Sequence, residues 1–172
     1  LLENLLFWSR TQRGTIEFQP KNITLNEKIT KVISLQKMSA DKKKIDLVSS
    51  VDPNLVLFAD PEMLLTILRN LISNAIKFSY PGGIVLITDE IGLSETVISV
   101  IDNGVGISVE DKEKLFRIDI HHSTSGTSEE SGSGLGLILC RELIEKHKGK
   151  IWVESEPGKG STFKFTIPNN IQ

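Results

Sequence analysis

Two tight turns constrain this chain more than any other feature. The stretches IVLITDEI (84–91) and TVISVID (96–102) are both strand-like, and only a short segment around Gly92 separates them. A parallel pair would need a crossover of about a dozen residues, so these two strands must form an antiparallel hairpin. KIWVES (150–155) and TFKFTIP (162–168) stand in the same relation across Pro157-Gly158. Helical patterns are interleaved with these hairpins, which are too frequent for a purely parallel sheet. The expected fold is therefore α+β: a two-layer sandwich whose mixed, mainly antiparallel sheet is covered on one face by about three helices.

The helices are marked by their starts. Thr24 and Glu27 stand as a Thr-x-x-Glu capping box, and Leu25, Ile29, Val32 and Ile33 follow on one face. Asp60 and Pro61 are favoured at an N-cap and at a first helical position. Leu64, Leu68, Leu71, Ile72 and Ala75 then supply the buried side of a second helix. A third runs to about His147, closed by Gly149. Short strands are expected at 16–18, 45–51 and 55–59, the last two joined by a turn at Asp52-Pro53-Asn54. Residues 104–136 are polar, rich in glycine and serine and hardly periodic, the mark of a functional lid or a mobile segment. The opening LLENLLFWSR spaces Leu1, Leu2, Leu5, Leu6 and Trp8 helically with no cap before them, so the pattern begins in mid-helix. An ordinary amphipathic terminal helix would give the same pattern.

Composition narrows the function classes. With 172 residues, 39% of them hydrophobic, the chain can fill one domain core. A net charge of −2 offers no electrostatic case for nucleic acid or an anionic membrane surface. No apolar run is long enough to span a bilayer, and no direct membrane contact is expected. Cys140 is the single cysteine, so internal disulfides and thiolate zinc sites are excluded and a cytoplasmic setting fits.

Three short patterns carry chemistry. Asn70, Asn74 and Lys77 form one polar stripe on the second helix. A carboxamide oxygen is a hard, neutral ligand suited to Mg²⁺ already shared with phosphate oxygens, and a lysine supplies a point charge for phosphate. A solvated helix face with chance asparagines accounts for the stripe equally well. In IDNGVGIS, Asp102 sits where a strand ends, and Gly104 and Gly106 let the backbone turn sharply and approach a flat ligand. An aspartate there can accept a hydrogen bond from an exocyclic amine, although an Asp-Asn-Gly turn is common in its own right. GSGLGL (132–137) leads straight into a helix, where glycines expose backbone N–H groups to polyphosphate. Its spacing is G-x-G-x-G with no strand before it, so it is no dinucleotide fingerprint; EPGKGS has Gly160 where a P-loop needs a hydroxyl.

Taken in order, Asn-x-x-x-Asn-Ala-x-Lys-Phe (70–78), Asp-x-Gly-x-Gly (102–106), Gly-x-Gly-Leu-Gly-Leu (132–137) and Gly-x-Gly-Ser-Thr-Phe (158–163) resemble the nucleotide-binding boxes of sensor histidine kinases. Those kinases share a Bergerat-type ATP-binding fold with topoisomerase, mismatch-repair and heat-shock chaperone ATPases. The resemblance implies a catalytic ATP-binding domain at 15–172, with 1–14 the end of a dimerisation helix. It implies ATP and Mg²⁺ as cofactors, with Asn74 coordinating Mg²⁺, Asn70 close by, Lys77 facing the phosphates and Phe78 bordering the nucleotide. Asp102 would read the adenine amine, Gly104 and Gly106 would make room for the ring, and Ile107 joins them. Gly132, Gly134 and Gly136 would hinge the lid and contact phosphate through their backbone, with Leu135 and Leu137 beside them. Thr162 would stand near the adenine.

The chain departs from the family after Leu115-Phe116. Ile120 replaces a second aromatic residue, and Arg117, His121 and His122 are the basic candidates for the γ-phosphate. None of the three histidines lies in a His-Glu/Asp-x-x-x-Pro motif, so the phosphoacceptor is absent; His147, at a helix end, suits a cation. The implied activity is donation of a phosphoryl group to a histidine on a separate dimerisation domain in two-component signalling. The implied partners are that domain and a response regulator receiver domain. The parent is expected to be a homodimer, and the fragment a monomer or weak dimer. An ATPase or protein-serine kinase module of the same superfamily, or a nucleotide-free docking module, are the alternatives.

Overall fold

A computed structural model describes residues 17–117, 126–128 and 134–169. In chain order the elements are β1 (Lys21–Thr24), α1 (Leu25–Lys42), β2 (Asp46–Ser50), β3 (Val56–Ala59), α2 (Pro61–Phe78), β4 (Ile84–Ile91), β5 (Glu95–Asp102), α3 (Val109–Lys112), α4 (Leu135–Lys146), β6 (Ile151–Ser155) and β7 (Ser161–Pro168). Both expected hairpins form, β4 with β5 and β6 with β7, and β5 also pairs with β7. The five-stranded sheet has the order β2-β4-β5-β7-β6, and its one parallel pair is β2 with β4. The α+β sandwich is thus as expected, with α1, α2 and α4 as its helical layer and α3 a single turn.

Strand alternation decides which residues make the core. Val85, Ile87, Ile98, Val100, Phe163, Phe165 and Ile167 face the helices and are buried. Leu86, Ile101 and Thr162, neighbours across three strands, fall on the other face. From the helices come Leu25, Ile29 and Val32, then Leu64, Leu68, Leu71 and Ile72, then Leu139, Leu143 and Ile144, all fully buried. Each such side chain contributes about 1.5–3 kcal/mol relative to exposure, so the face of α2 dominates the layer.

Four local expectations need correction. Residues 17–20 lie in no regular element and the first strand is β1; residue 16 is outside the described residues. Thr24 is the N-cap of α1, yet its side chain makes no capping bond, so the Thr24–Glu27 box is not formed. Thr24 ends β1 in register with Val56, and the Leu25 N–H donates to the Leu55 carbonyl (3.0 Å). The first of the helix's N–H groups is thereby satisfied by a backbone carbonyl just before β3. Next, α4 is closed by Lys148 in the left-handed region (φ 60°), and Gly149 follows, donating to the Ile144 carbonyl (3.0 Å).

His147 is the fourth correction. It is fully buried, its Nδ1 lies 2.7 Å from the Leu143 carbonyl, and its Nε2 accepts from the Asp60 N–H (3.0 Å). Those partners require a neutral ring protonated at Nδ1, and burial holds its pKa below the usual histidine value against the pull of the Leu143 carbonyl and Asp60. The ring therefore acts as a neutral strut between α4 and the start of α2, and Phe18 packs edge-on against it at 4.9 Å.

The start of α2 follows the sequence closely. Asp60 Oδ1 accepts from the N–H groups of Glu62 (3.0 Å) and Met63 (3.1 Å), and Pro61 occupies the first turn. Asp60 Oδ2 also accepts from the Gln19 N–H (2.9 Å), tying the segment before β1 to this cap.

Candidate functional site

Three segments converge beyond the C-terminal half of α2. The end of β5 and the loop after it bring Asp102 and residues 105–108; α4 brings Leu137; the start of β7 brings Ser161 and Phe163. With Asn74 and Phe78 of α2, and with Asp111 and Leu115, they line a cavity of about 200 Å³. Its walls are mainly apolar with a few polar groups, the composition of a small-molecule site.

Asp102 is the most constrained polar group there. It is only 5% exposed, and its Oδ1 accepts from the Gly104 N–H at 2.9 Å. Burial raises its pKa above the ordinary aspartate value, opposed by hydrogen bonds from the backbone of Gly104 and Ser161. A carboxylate held in this way can accept from a donor entering the cavity and has nothing to donate once ionised. The nearby hydroxyl of Ser108 bonds to Asp111 Oδ2 (2.8 Å), so its proton is also committed.

The glycines of the second box act between backbones. Gly106 has φ 69°, and a Cβ there would overlap the Glu156 carbonyl oxygen in the β6–β7 turn. Gly104 sits against the Phe78 carbonyl at the end of α2, where Val105 N–H donates (3.1 Å). The box thus docks the cavity's floor loop onto a helix end and a hairpin turn.

Six residues named from the sequence meet at the cavity: Asn74, Phe78, Asp102, Gly106, Ile107 and Leu137. Others stand beside it. Asn70 is buried, its Nδ2 donating to the Thr66 carbonyl (2.8 Å) and its Oδ1 facing Gly136 where α4 begins. Lys77 places its ammonium 4.6 Å from the centre of the Phe78 ring. Gly134 is the N-cap of α4 at φ 70° and Leu135 its first residue. Thr162 is not brought to the cavity, because strand alternation turns it to the far face between Ile101 and Glu154. Gly132, His121, His122 and the 1–14 segment lie outside the described residues. Arg117 follows the α3 region and is not among the lining residues.

Val105, Ser108, Asp111, Leu115, Ser161 and Phe163 line the cavity without having been expected there. Ser161 and Phe163 carried a signal: in Gly-Ser-Thr-Phe the period of two puts them on the same face. Ser108 carried another, since Ser-x-x-Asp is a capping pattern, and its side chain does cap α3.

A carboxamide stripe suits Mg²⁺ only in company with phosphate, because neutral oxygens alone bind it weakly. The residues fit that use: Asn74 lines the cavity, and Asn70 turns its side-chain oxygen toward Gly136 where α4 begins. Among the described residues no three His, Cys, Asp or Glu cluster to hold a metal ion by themselves.

Comparison with known proteins bears on this geometry. Residues 59–171 match the family described as histidine kinase-, DNA gyrase B-, and HSP90-like ATPase. The chain is 31% identical over 170 residues to the adaptive-response sensory kinase SasA of Thermosynechococcus vestitus, covering 98% of this chain and 44% of SasA. It is 34% identical over 172 residues to the sensor-like histidine kinase SenX3 of Mycobacterium tuberculosis, covering 42% of that protein. The chain thus spans less than half the length of these curated relatives. Among solved structures, the catalytic domain of histidine kinase ThkA superimposes with a TM-score of 0.76 at 35% identity, covering 90% of this chain and 97% of that one. ThkA in complex with the response regulator protein TrrA gives a TM-score of 0.75 at 30% identity, covering 98% of this chain and 48% of ThkA.

Proposed function

The chain belongs to the histidine kinase-, DNA gyrase B- and HSP90-like ATPase family, and from that premise we propose that it binds Mg-ATP in this cavity and donates the γ-phosphoryl group to a histidine on a separate dimerisation domain. Residues 15–172 are the catalytic domain in this reading, and 1–14 the end of a dimerisation helix. The observation that carries it is the convergence of Asn74, Phe78, Asp102 and Leu137, which come from three separate boxes, on one cavity.

Each residue then has a physical task. Asp102 accepts from the adenine amine, and Phe78, Ile107 and Leu137 enclose the ring with apolar surface. Asn74, with Asn70 behind it, holds Mg²⁺, which when bound offsets charge on the phosphates. Lys77, held over Phe78 at the end of the same stripe, adds a cation on the phosphate side. Gly134, Leu135 and Gly136 present the first N–H groups of α4 to the polyphosphate. Phosphoryl transfer needs positioning and charge stabilisation more than covalent help from the protein, so a site with no nucleophile of its own is chemically sufficient.

A response regulator is the downstream partner in this reading, supported by the ThkA–TrrA complex. A cytoplasmic placement goes with it. Among the described residues no helix is long and apolar enough to cross a membrane.

The test is calorimetric titration with ADP and a non-hydrolysable ATP analogue, with and without Mg²⁺, for the wild type and Asp102→Asn. Saturable, Mg²⁺-assisted binding that collapses in the variant is expected. Transfer of label from ATP to a histidine should appear only when a dimerisation domain is supplied. A wild-type protein that binds neither nucleotide would leave the docking-module alternative standing.

A further inference from the structure

Ser155, the last residue of β6, lines no part of the cavity, yet it joins the segments that do. Its Oγ accepts from the Ile107 N–H (2.8 Å), lies 2.7 Å from the Gly160 carbonyl and 3.0 Å from Ser161 Oγ. Its own carbonyl accepts from Lys112 Nζ (3.0 Å), which brings in α3.

A hydroxyl has one proton and two lone pairs, so these contacts fix every direction. A carbonyl cannot donate, and a 2.7 Å approach of two oxygens requires a proton between them, so Ser155 donates to Gly160. Its lone pairs then receive the Ile107 N–H and the hydroxyl proton of Ser161. The Ser161 hydroxyl has spent its only proton and keeps lone pairs alone for the cavity. It stands beside Asp102, its partner in the β5–β7 register, which is itself an acceptor.

We propose that Ser155 is a positioning residue which holds Ser161 as a pure hydrogen-bond acceptor beside Asp102, and that this selects a 6-amino purine over a 6-oxo purine. The inference rests on the nucleotide reading of the same cavity. Two adjacent acceptors complement a group that donates hydrogens, and they repel a carbonyl. Without the Ser155 hydroxyl, Ser161 is free to turn its proton into the cavity, where it serves an incoming carbonyl, or toward Asp102, where it consumes an acceptor. Either outcome erodes the preference for the amine.

The experiment is titration of the 172-residue chain with Mg-ADP and with Mg-IDP, whose base carries oxygen in place of the amine. Wild type, Ser155→Ala, Ser155→Thr, Ser161→Ala and the double alanine variant are compared. The ADP-over-IDP affinity ratio is expected to fall about tenfold in Ser155→Ala, the scale of one hydrogen bond. Threonine should restore the ratio. Ser161→Ala should lower it by a similar factor, and adding Ser155→Ala to that background should change it no further. A merely structural role would weaken both nucleotides alike, and an unchanged ratio in Ser155→Ala would overturn the proposal. So would an unchanged ratio in Ser161→Ala, a measurement that stands even if Ser155→Ala is too unstable to titrate. A wild type that binds ADP but does not prefer it to IDP sinks the inference alone; one that binds neither removes the nucleotide reading as well.

Discussion

At the scale of single residues, Asp102 shows how a binding site is maintained against stability. Burial raises its pKa, so the ionised carboxylate is disfavoured in the folded chain. The corresponding stability is complete below the unfolded-state pKa and is lost as the pH rises through the higher folded-state value. Above that value the cost is present in full. Asp102→Asn removes it while an amide oxygen can still accept from the Gly104 N–H, so the nucleotide-free variant should melt no lower than wild type. Its amide NH₂ would face the incoming amine, and ADP affinity should drop about ten- to a hundredfold, as for a lost charged hydrogen bond. Thermal melts and titrations of the same samples check both halves. Gly106 gives a second contrast. Gly82 and Gly106 both have positive φ, but a Cβ on Gly82 meets nothing within 4 Å, whereas one on Gly106 runs into the Glu156 carbonyl. Gly82→Ala should cost about 1 kcal/mol, and Gly106→Ala clearly more, in urea melts. The glycines were legible in the sequence as places of close approach; that their neighbours are other backbone segments was not, because those neighbours are distant in sequence. Thr162 was misplaced for a simpler reason. The threonine was named from its place in the Gly-x-Gly-Ser-Thr-Phe box, while the period of two puts Ser161 and Phe163 together on the opposite face.

At the scale of elements, local signals proved readable where nothing distant competed. Asp60-Pro61 caps α2 as the sequence says, and the two hairpins form across the turns that demand them. Thr24-x-x-Glu27 is an equally good local signal and is not formed: β1 runs up to Thr24, in register with Val56, and the Thr24 side chain makes no capping bond. The partner strand β3 begins at Val56, more than thirty residues downstream, and no local pattern points to it. Asp60 serves Gln19 as well as its own helix, so Asp60→Ala should cost about 2 kcal/mol, the upper end for a cap, in chemical denaturation. His147 makes stability pH-dependent. Its folded-state pKa is lowered, so its contribution is fully present above the ordinary value of 6.5 and is lost as the pH falls from there through the folded-state pKa. Wild type should lose stability across that acid window. His147→Ala should be less stable by about 2–4 kcal/mol at neutral pH and should lack that part of the acid dependence, measured by denaturant midpoints at a series of pH values.

At the scale of the whole molecule, the end of α2 is where the chain's distant parts are tied together. Lys43, just past α1, is buried, and its Nζ donates to the carbonyls of Ile76 (2.9 Å) and Lys77 (2.9 Å) and to Thr127 Oγ1 (2.6 Å). Thr127 in turn donates its hydroxyl to the Ser79 carbonyl (2.6 Å) and its N–H to the Lys77 carbonyl (3.1 Å). Carbonyls at a helix C-terminus have no partners in their own helix, and here a lysine and a threonine from two other segments supply donors. Lys77 and Phe78, which belong to the site, sit on that same turn. The sequence indicated a lid over 104–136 from its polarity and lack of period, but nothing in Gly-Thr-Ser (126–128) distinguishes it from its neighbours. Its fastening to the end of α2 involves Lys43, some eighty residues earlier, and only the folded chain brings them together. Lys43→Met keeps the length of the side chain and removes the donors. It should take a donor from the Ile76 and Lys77 carbonyls, at a cost of about 1–3 kcal/mol. Thr127 keeps its own bonds to the Lys77 and Ser79 carbonyls but loses the tie to Lys43, so its amide should exchange hydrogen faster than in wild type, while core amides of β5 and β7 slow or quicken only with global stability. Equal acceleration of Thr127 and the core would mean that Lys43 stabilises the fold as a whole and does not fasten this segment to α2.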